Sequence, residues 1–248
     1  MDMTSECFID ARGLVPENHA YPELPALNLS LGPRGATCLL GQSEPYLDCY
    51  LRALGGIIPL RSGELRLFGK SSALINGKER TMLRIKLSYI SRGGRLVSVL
   101  NGMDNIILPA LYHKLYSPSE AIQKARALLT ELQFIGDTQA LPAFNTPLQN
   151  TQLAIARAMI LEPLVLLLNH PYYKLEINEQ NTINQFLQKW CVSRPLLIST
   201  NNQRFVKDRA EWIVFLGEQN IYHFSSWSDL CQNNSEEVLH YLKHFHDE

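Results

Sequence analysis

Along the first third of the chain, short apolar runs are broken by glycine and proline, which predicts strands more than long helices. Residues 7–12 and 27–31 read as strands, and the second (Leu-Asn-Leu-Ser-Leu) has the apolar/polar alternation of a half-buried one. A Gly-Pro-Arg-Gly turn at 32–35 leads into an apolar strand at 36–40, a loop over 41–45, and a helix over 46–54 stopped by Gly55 and Gly56. Further strands are predicted at 62–68 and 85–90. The period then becomes helical. Over 119–132, Ile122, Ala125, Leu128, Leu129 and Leu132 line one face, with Ser117 or Ser119 as the cap. Helices at 150–161, 179–190 and 236–245 are interleaved with apolar strands at 164–168, 195–200 and 212–216. Alternating strands and helices predict an α/β fold with a parallel sheet, and the helical stretch from about 100 to 160 predicts an inserted helical subdomain.

Composition narrows the function classes. Hydrophobic residues make up 46% of the 248, enough for a sizeable core. Lys and Arg number 23 against 24 Asp and Glu, so a dedicated nucleic-acid binder, which depends on phosphate neutralisation, is not expected. The longest apolar run, 163–168, is strand length and far short of the ~20 residues that span a bilayer. The first seven residues are acidic and lack a signal peptide's basic start and apolar centre. Five scattered cysteines without a Cys-x-x-Cys pair read as reduced thiols of a cytoplasmic protein, neither a disulfide frame nor a zinc site.

Three stretches carry a family resemblance over nearly the whole chain. They are residues 51–64 (Leu-Arg-Ala-Leu-Gly-Gly-Ile-Ile-Pro-Leu-Arg-Ser-Gly-Glu), 104–109 (Asp-Asn-Ile-Ile-Leu-Pro) and 152–163 (Gln-Leu-Ala-Ile-Ala-Arg-Ala-Met-Ile-Leu-Glu-Pro). Each resembles a packing segment of the ATP-binding subunits of ABC transporters. The resemblance implies a P-loop NTPase-like ABC nucleotide-binding domain with a RecA-like core, an antiparallel β subdomain and an inserted helical subdomain. It implies boundaries of 1–92 and 161–224 for the core, 93–160 for the helical subdomain and 225–248 for a C-terminal tail helix.

At the positions that carry the family's chemistry, the residues depart from its pattern. A phosphate loop, GxxxxGK[ST], needs its second Gly for curvature, Lys for the β- and γ-phosphates and Ser or Thr for Mg2+. Here it reads Gly41-Gln-Ser-Glu-Pro-Tyr-Leu-Asp48, so Gly41 and Ser43 remain, while Tyr46, Leu47 and Asp48 replace the second Gly, the Lys and the hydroxyl. Pro45 removes an amide donor, and Glu44 and Asp48 add negative charge. A like-charge pair at ~4 Å repels by roughly 4 kcal/mol at an effective dielectric of ~20. The strand that should end in Asp-Glu ends in Asn169 and His170, and amide oxygen is a poorer Mg2+ ligand than carboxylate. Arg92 replaces the Q-loop Gln, Asn145-Thr-Pro-Leu-Gln149 replaces the glycine-bearing signature, and Asn201 replaces the switch His. The D-loop reads Tyr173-Lys-Leu-Glu176, and no adenine-stacking aromatic stands near Asn18, although His19 or Tyr21 are substitutes. The resemblance therefore implies a pseudo-ATPase without a cofactor, ATP and Mg2+ included.

Other features have blander readings. His170 reads as a packed strand-end residue, with no second ligand at metal spacing. His240 and His244 are four residues apart near His246, which reads as an exposed tail, and no metal site is expected. Gly93 and Gly94 read as a turn, with Arg92 and Arg95 as a solvated pair. Tyr112, His113 and Tyr116, with Arg92, lie where the resemblance places docking of the membrane subunit, with an ordinary loop flank as the equal alternative. The ending over 225–242 is similar to that of ATPases serving Mce/Mla-type phospholipid transporters. The expected partners are an integral membrane permease subunit, another ABC ATPase subunit or a second copy, and an Mce-domain lipid carrier, at the cytoplasmic face of the bacterial inner membrane. The expected role is structural or regulatory in a cell-envelope transporter. The alternatives are a heterodimeric ATPase with a competent partner, and a soluble interaction module outside transport.

Overall fold

Leu27, Leu29 and Leu31 turn inward while Asn28 and Ser30 face out, so β2 (Leu27–Leu31) buries one side. The structure, a computed structural model, describes residues 7–18, 20, 21 and 23–244, without the side chain of His244. The expectations placed on residues 1–6, His19 and His246 lie outside the described residues. The chain divides into two compact units, one built from the residues up to Leu83 and from Trp190 onward, the other from Arg84–Lys189.

In the first unit, β1 (Ile9–Pro16) pairs antiparallel with β2 on one side and β4 (Leu60–Leu67) on the other, and β4 pairs with the short β5 (Lys70–Ser71). β3 (Gly35–Gly41) is central to a second group, parallel to both β8 (Pro195–Ser199) and β9 (Ala210–Leu216). β10 (Ile221–Phe224) closes a hairpin on β9. Continuous burial along β3 and β8 explains why both read as unbroken apolar runs. Helix α1 (Glu44–Leu54) packs on β1, β3 and β8 through Leu47, Tyr50, Leu51 and Leu54. Tyr50 donates its hydroxyl proton to the Pro25 carbonyl, and burial pushes that phenol well above its ordinary value.

Residues 85–90 do not form one strand. Ile85 and Lys86 end helix α2 (Gly77–Lys86), and β6 begins at Leu87 (Leu87–Ile90). Asn76 and Glu79 start that helix reciprocally: the Asn76 side chain accepts from the Glu79 amide at 3.0 Å, and the Glu79 carboxylate from the Asn76 amide at 3.3 Å. No side chain of α2 is buried, so no apolar stripe announces it in the sequence.

In the second unit, β6 runs parallel to β7 (Val165–Asn169). Helices α3 (Gly102–Tyr112), α4 (Pro118–Glu131) and α5 (Pro147–Met159) pack together, and α5 also meets β6. Ser117, not Ser119, caps α4, in a full capping box with Glu120. Asn105, fully buried, ties down the loop before α3: it accepts from the Val97 amide at 2.8 Å and donates to the carbonyls of Val97, Leu100 and Asn101 at 3.0 Å each. Helix α6 (Ile177–Ser193) runs past the end of this unit, and α7 (Gln203–Arg209), α8 (Trp227–Cys231) and α9 (Glu236–His244) belong to the first. Among the described residues, no helix is long and apolar enough to cross a membrane.

Candidate functional site

Gly41 ends β3 where a Cβ atom would lie 2.7 Å from the Leu216 carbonyl oxygen, so close packing against β9 alone requires glycine there. Only Gln42 and Ser43 connect β3 to α1. The helix starts at Glu44, two residues before the expected position, because Pro45 fits the first helical turn and Glu44 is favoured at its positive end. The amides of Tyr46 and Leu47 both donate to the Ser43 carbonyl, at 3.0 and 3.1 Å. The Leu47 side chain is 1% exposed, and Asp48 lies 3.6 Å from Arg52 one turn on. The ring of Tyr46 meets Tyr21 edge-on, centroids 4.6 Å apart. Asn18 donates to the Cys49 sulfur, and burial pushes that thiol up.

A cavity of about 650 Å³ opens beside this connection, between Tyr21, Gln42, Ser43 and Tyr46 on one side and α9 with the β9–β10 turn on the other. Its wall carries the carboxylates Glu218, Glu236 and Glu237 against the single cation Lys243. Glu237 joins α9 to the turn, accepting from the amides of Glu218 (2.7 Å) and Gln219 (3.2 Å) and from the Tyr222 hydroxyl (3.1 Å). The amide nitrogen of Gln42 lies 3.0 Å from His240 Nδ1. The tail helix thus contacts the phosphate-loop position, a long-range contact for which no local sequence signal exists. Among the described residues, no group of three His, Cys, Asp or Glu side chains is placed to hold a metal ion. Asn201, in the same unit, is exposed in the link from β8 to α7, where Asn202 caps the helix by accepting from the Phe205 amide at 2.6 Å.

The other candidate positions belong to the second unit. Asn169 ends β7, buried, with its amide 3.4 Å from the Tyr89 hydroxyl of β6. His170 follows, 6% exposed and at φ 43°, a left-handed conformation uncommon for a residue with a side chain. Arg92 is not simply solvated: its guanidinium carbon lies 3.8 Å from the centroid of the Tyr173 ring, joining the Q-loop position to the D-loop position. Gly93 and Gly94 both adopt positive φ, as a turn requires. At the signature position, Thr146 and Gln149 form a capping box on α5, and the Gln149 amide nitrogen reaches back to the Ile135 carbonyl at 2.7 Å. Arg157, further along α5, donates to the Arg95 carbonyl, and burial pulls its guanidinium below the ordinary value.

The three aromatic positions at and beyond the end of α3 divide. Tyr112 is 76% exposed, with His113 packed edge-on against it. The Tyr116 hydroxyl donates to Glu162 at 3.0 Å beneath the Lys124 ammonium, so its ring is fastened within the unit.

No family model matches the chain. It is 30% identical over 165 residues to the Fe(3+) ions import ATP-binding protein FbpC 1 of Rhizobium meliloti (strain 1021), covering 66% of this chain and 45% of that one. It is 28% identical over 173 residues to the lipoprotein-releasing system ATP-binding protein LolD of Maricaulis maris (strain MCS10), covering 69% and 75%. The chain thus spans less than half the length of its FbpC relative. Among solved structures, it superposes on the ATP-binding cassette MJ0796 in its dimeric, post-hydrolysis state with ADP and Pi, with a TM-score of 0.79 at 17% identity, over 88% of this chain and 98% of that one. It superposes on cbiO1 of Clostridium perfringens, part of the ABC transporter complex cbiONQ, with a TM-score of 0.75 at 17% identity, over 96% and 95%. The fold is that of an ABC nucleotide-binding domain, as the packing segments predicted.

Proposed function

We propose that this chain is an ABC-type subunit that neither binds nor hydrolyses ATP and acts as a structural or regulatory component of a cell-envelope transporter. One observation carries the reading. The connection from β3 to α1 is two residues long, Pro45 has no amide to donate, and the Tyr46 and Leu47 amides donate to the Ser43 carbonyl, which leaves fewer amide donors for a triphosphate than a glycine-rich loop would offer. Leu47 occupies the core where a phosphate-binding Lys would have to stand, and the adjoining cavity carries more acid than base. These residues do not fit Mg-ATP. The capped start of α5 supports the same reading for the signature position, and the amide at 169 supports it for metal.

The relatives' names support transport, and LolD, matched over 75% of its length, supports a lipidic cargo. With the resemblance of the tail to Mce/Mla-type ATPases, we infer a peripheral place on the cytoplasmic face of the inner membrane. The partners are a permease, docked through Tyr112, His113 and Arg92, a second ABC subunit or copy, and an Mce-domain carrier. Calorimetric titration of the purified chain with Mg-ATP tests the central claim: no heat at millimolar nucleotide is expected, and micromolar binding overturns it. The rival is a heterodimer driven by a competent partner. In the reconstituted complex, turnover that survives substitution of the partner's Walker B Glu rules that rival out.

A further inference from the structure

The cavity beside the β3–α1 connection is lined only by residues of the first unit. Two ties hold its walls in place. Glu237 fastens α9 to the β9–β10 turn through the hydrogen bonds it accepts from Glu218, Gln219 and Tyr222, and Gln42 meets His240 at 3.0 Å. The cavity is therefore preformed, and at about 650 Å³ it has the size of a small-molecule site. Its lining has two characters. Tyr21, Tyr46 and Leu239 offer aromatic and apolar surface, the two tyrosine rings meeting at 67°. At the start of α9 the wall is acidic: Glu218 and Glu236 are exposed, and no ion pair engages either of them among the described residues. Lys243 follows Glu236 by two helical turns, which places its backbone about 10 Å along the axis from that acidic end.

We propose that this cavity binds a small organic amine, its protonated nitrogen at Glu218 and Glu236 and its aromatic or alkyl body against the tyrosines and Leu239. Two carboxylates on one wall attract cations and repel anions. Burial of the body against aromatic and apolar side chains supplies affinity that an inorganic cation cannot gain. A bare metal ion also lacks its ligands here, since no three His, Cys, Asp or Glu side chains among the described residues are placed to hold one. Glu237 is not a further anchor for the amine, because its carboxylate is engaged by the turn. The inference goes beyond the subunit role proposed above: it gives the space beside the phosphate-loop position a ligand opposite in charge to a triphosphate.

Calorimetric titration of the purified full chain with tryptamine, an ammonium group on an aromatic body, tests it. A Kd below about 1 mM is expected, weakening with added salt. N-acetyltryptamine has the body without the charge, and ethylamine has the charge without the body. Each should bind at least about tenfold more weakly than tryptamine. Glu218→Gln/Glu236→Gln should lose about tenfold in tryptamine affinity with an unchanged Tm, since both side chains are exposed. Lys243→Glu should gain a few-fold, an effect that no folding defect can mimic. Absent tryptamine binding, equal binding of N-acetyltryptamine, or unaltered affinity in the double variant overturns the proposal. Displacement of tryptamine by Mg-ATP also overturns it, because a site that selects cations would then be holding a polyanion. Mg-ATP titrated into the chain without amine decides the inactive-subunit reading separately.

Discussion

Helices α1 and α5 start at the two positions where the ABC resemblance brings phosphate to a helix N-terminus, and each end is held by different means. The start of α5 is capped by its own side chains: Thr146 accepts from the Gln149 amide, Gln149 from the Thr146 amide, and Pro147 has no amide to offer. At α1, Ser43 makes no side-chain cap. That end is held from beneath, by Leu47 in the core and Gly41 against β9. Local chemistry thus holds one helix start and packing holds the other. A start held by caps can be reopened by surface substitutions, whereas a start held by packing cannot be reopened without a cost in stability.

The largest expected effect follows from that difference. Leu47→Lys, the substitution that recreates the phosphate-loop lysine, should cost at least ~3 kcal/mol in urea unfolding, since it removes a buried leucine and inserts an unpaired charge. A loss below ~1 kcal/mol would mean that the ammonium escapes the core, and the packing half of the comparison would fail. Restoring the whole motif with Tyr46→Gly, Leu47→Lys and Asp48→Ser should accordingly yield a less stable chain, not an ATP binder. Gly41→Ala should cost ~2 kcal/mol by overpacking against the Leu216 carbonyl, with the Tm falling in the absence of any nucleotide. Were Gly41→Ala neutral, the glycine would need a reason other than packing.

Smaller effects separate the two helix starts. Gln149→Ala should cost ~1.5 kcal/mol, through its capping bond and its bond to the Ile135 carbonyl. Thr146→Ala should cost ~1 kcal/mol, whereas Ser43→Ala should change stability by no more than a few tenths. Chemical denaturation of the pair measures this directly, and equal losses at 43 and 146 would dissolve the distinction.

Much of the architecture was legible because it follows from periodicity. The alternation in 27–31, the unbroken apolar strands at 36–40 and 195–200, and the helical face from Ile122 to Leu132 each correspond to an element within a few residues of its predicted ends. Where burial supplies no period, the sequence was silent. Helix α2 buries nothing and was read in part as strand, and the short elements α7, α8 and β10 went unmarked. The residues of the candidate site were legible one by one, as departures from a family pattern. Their surroundings were not: the Tyr21–Tyr46 contact, the Arg92–Tyr173 stack and the approach of Gln42 to His240 join residues 25, 81 and 198 positions apart.

By itself, the sequence determined which groups are missing from the chemistry: no lysine at 47, no carboxylate at 169 or 170, no glycine between 145 and 149. Those are matters of residue type, and no packing can supply an absent ammonium or carboxylate. Tertiary structure alone decided how the vacated positions are filled. Whether Leu47 points into a core, whether an amide is spent on Ser43, and whether a tail helix lies beside the phosphate-loop position all depend on which distant segments share the same space.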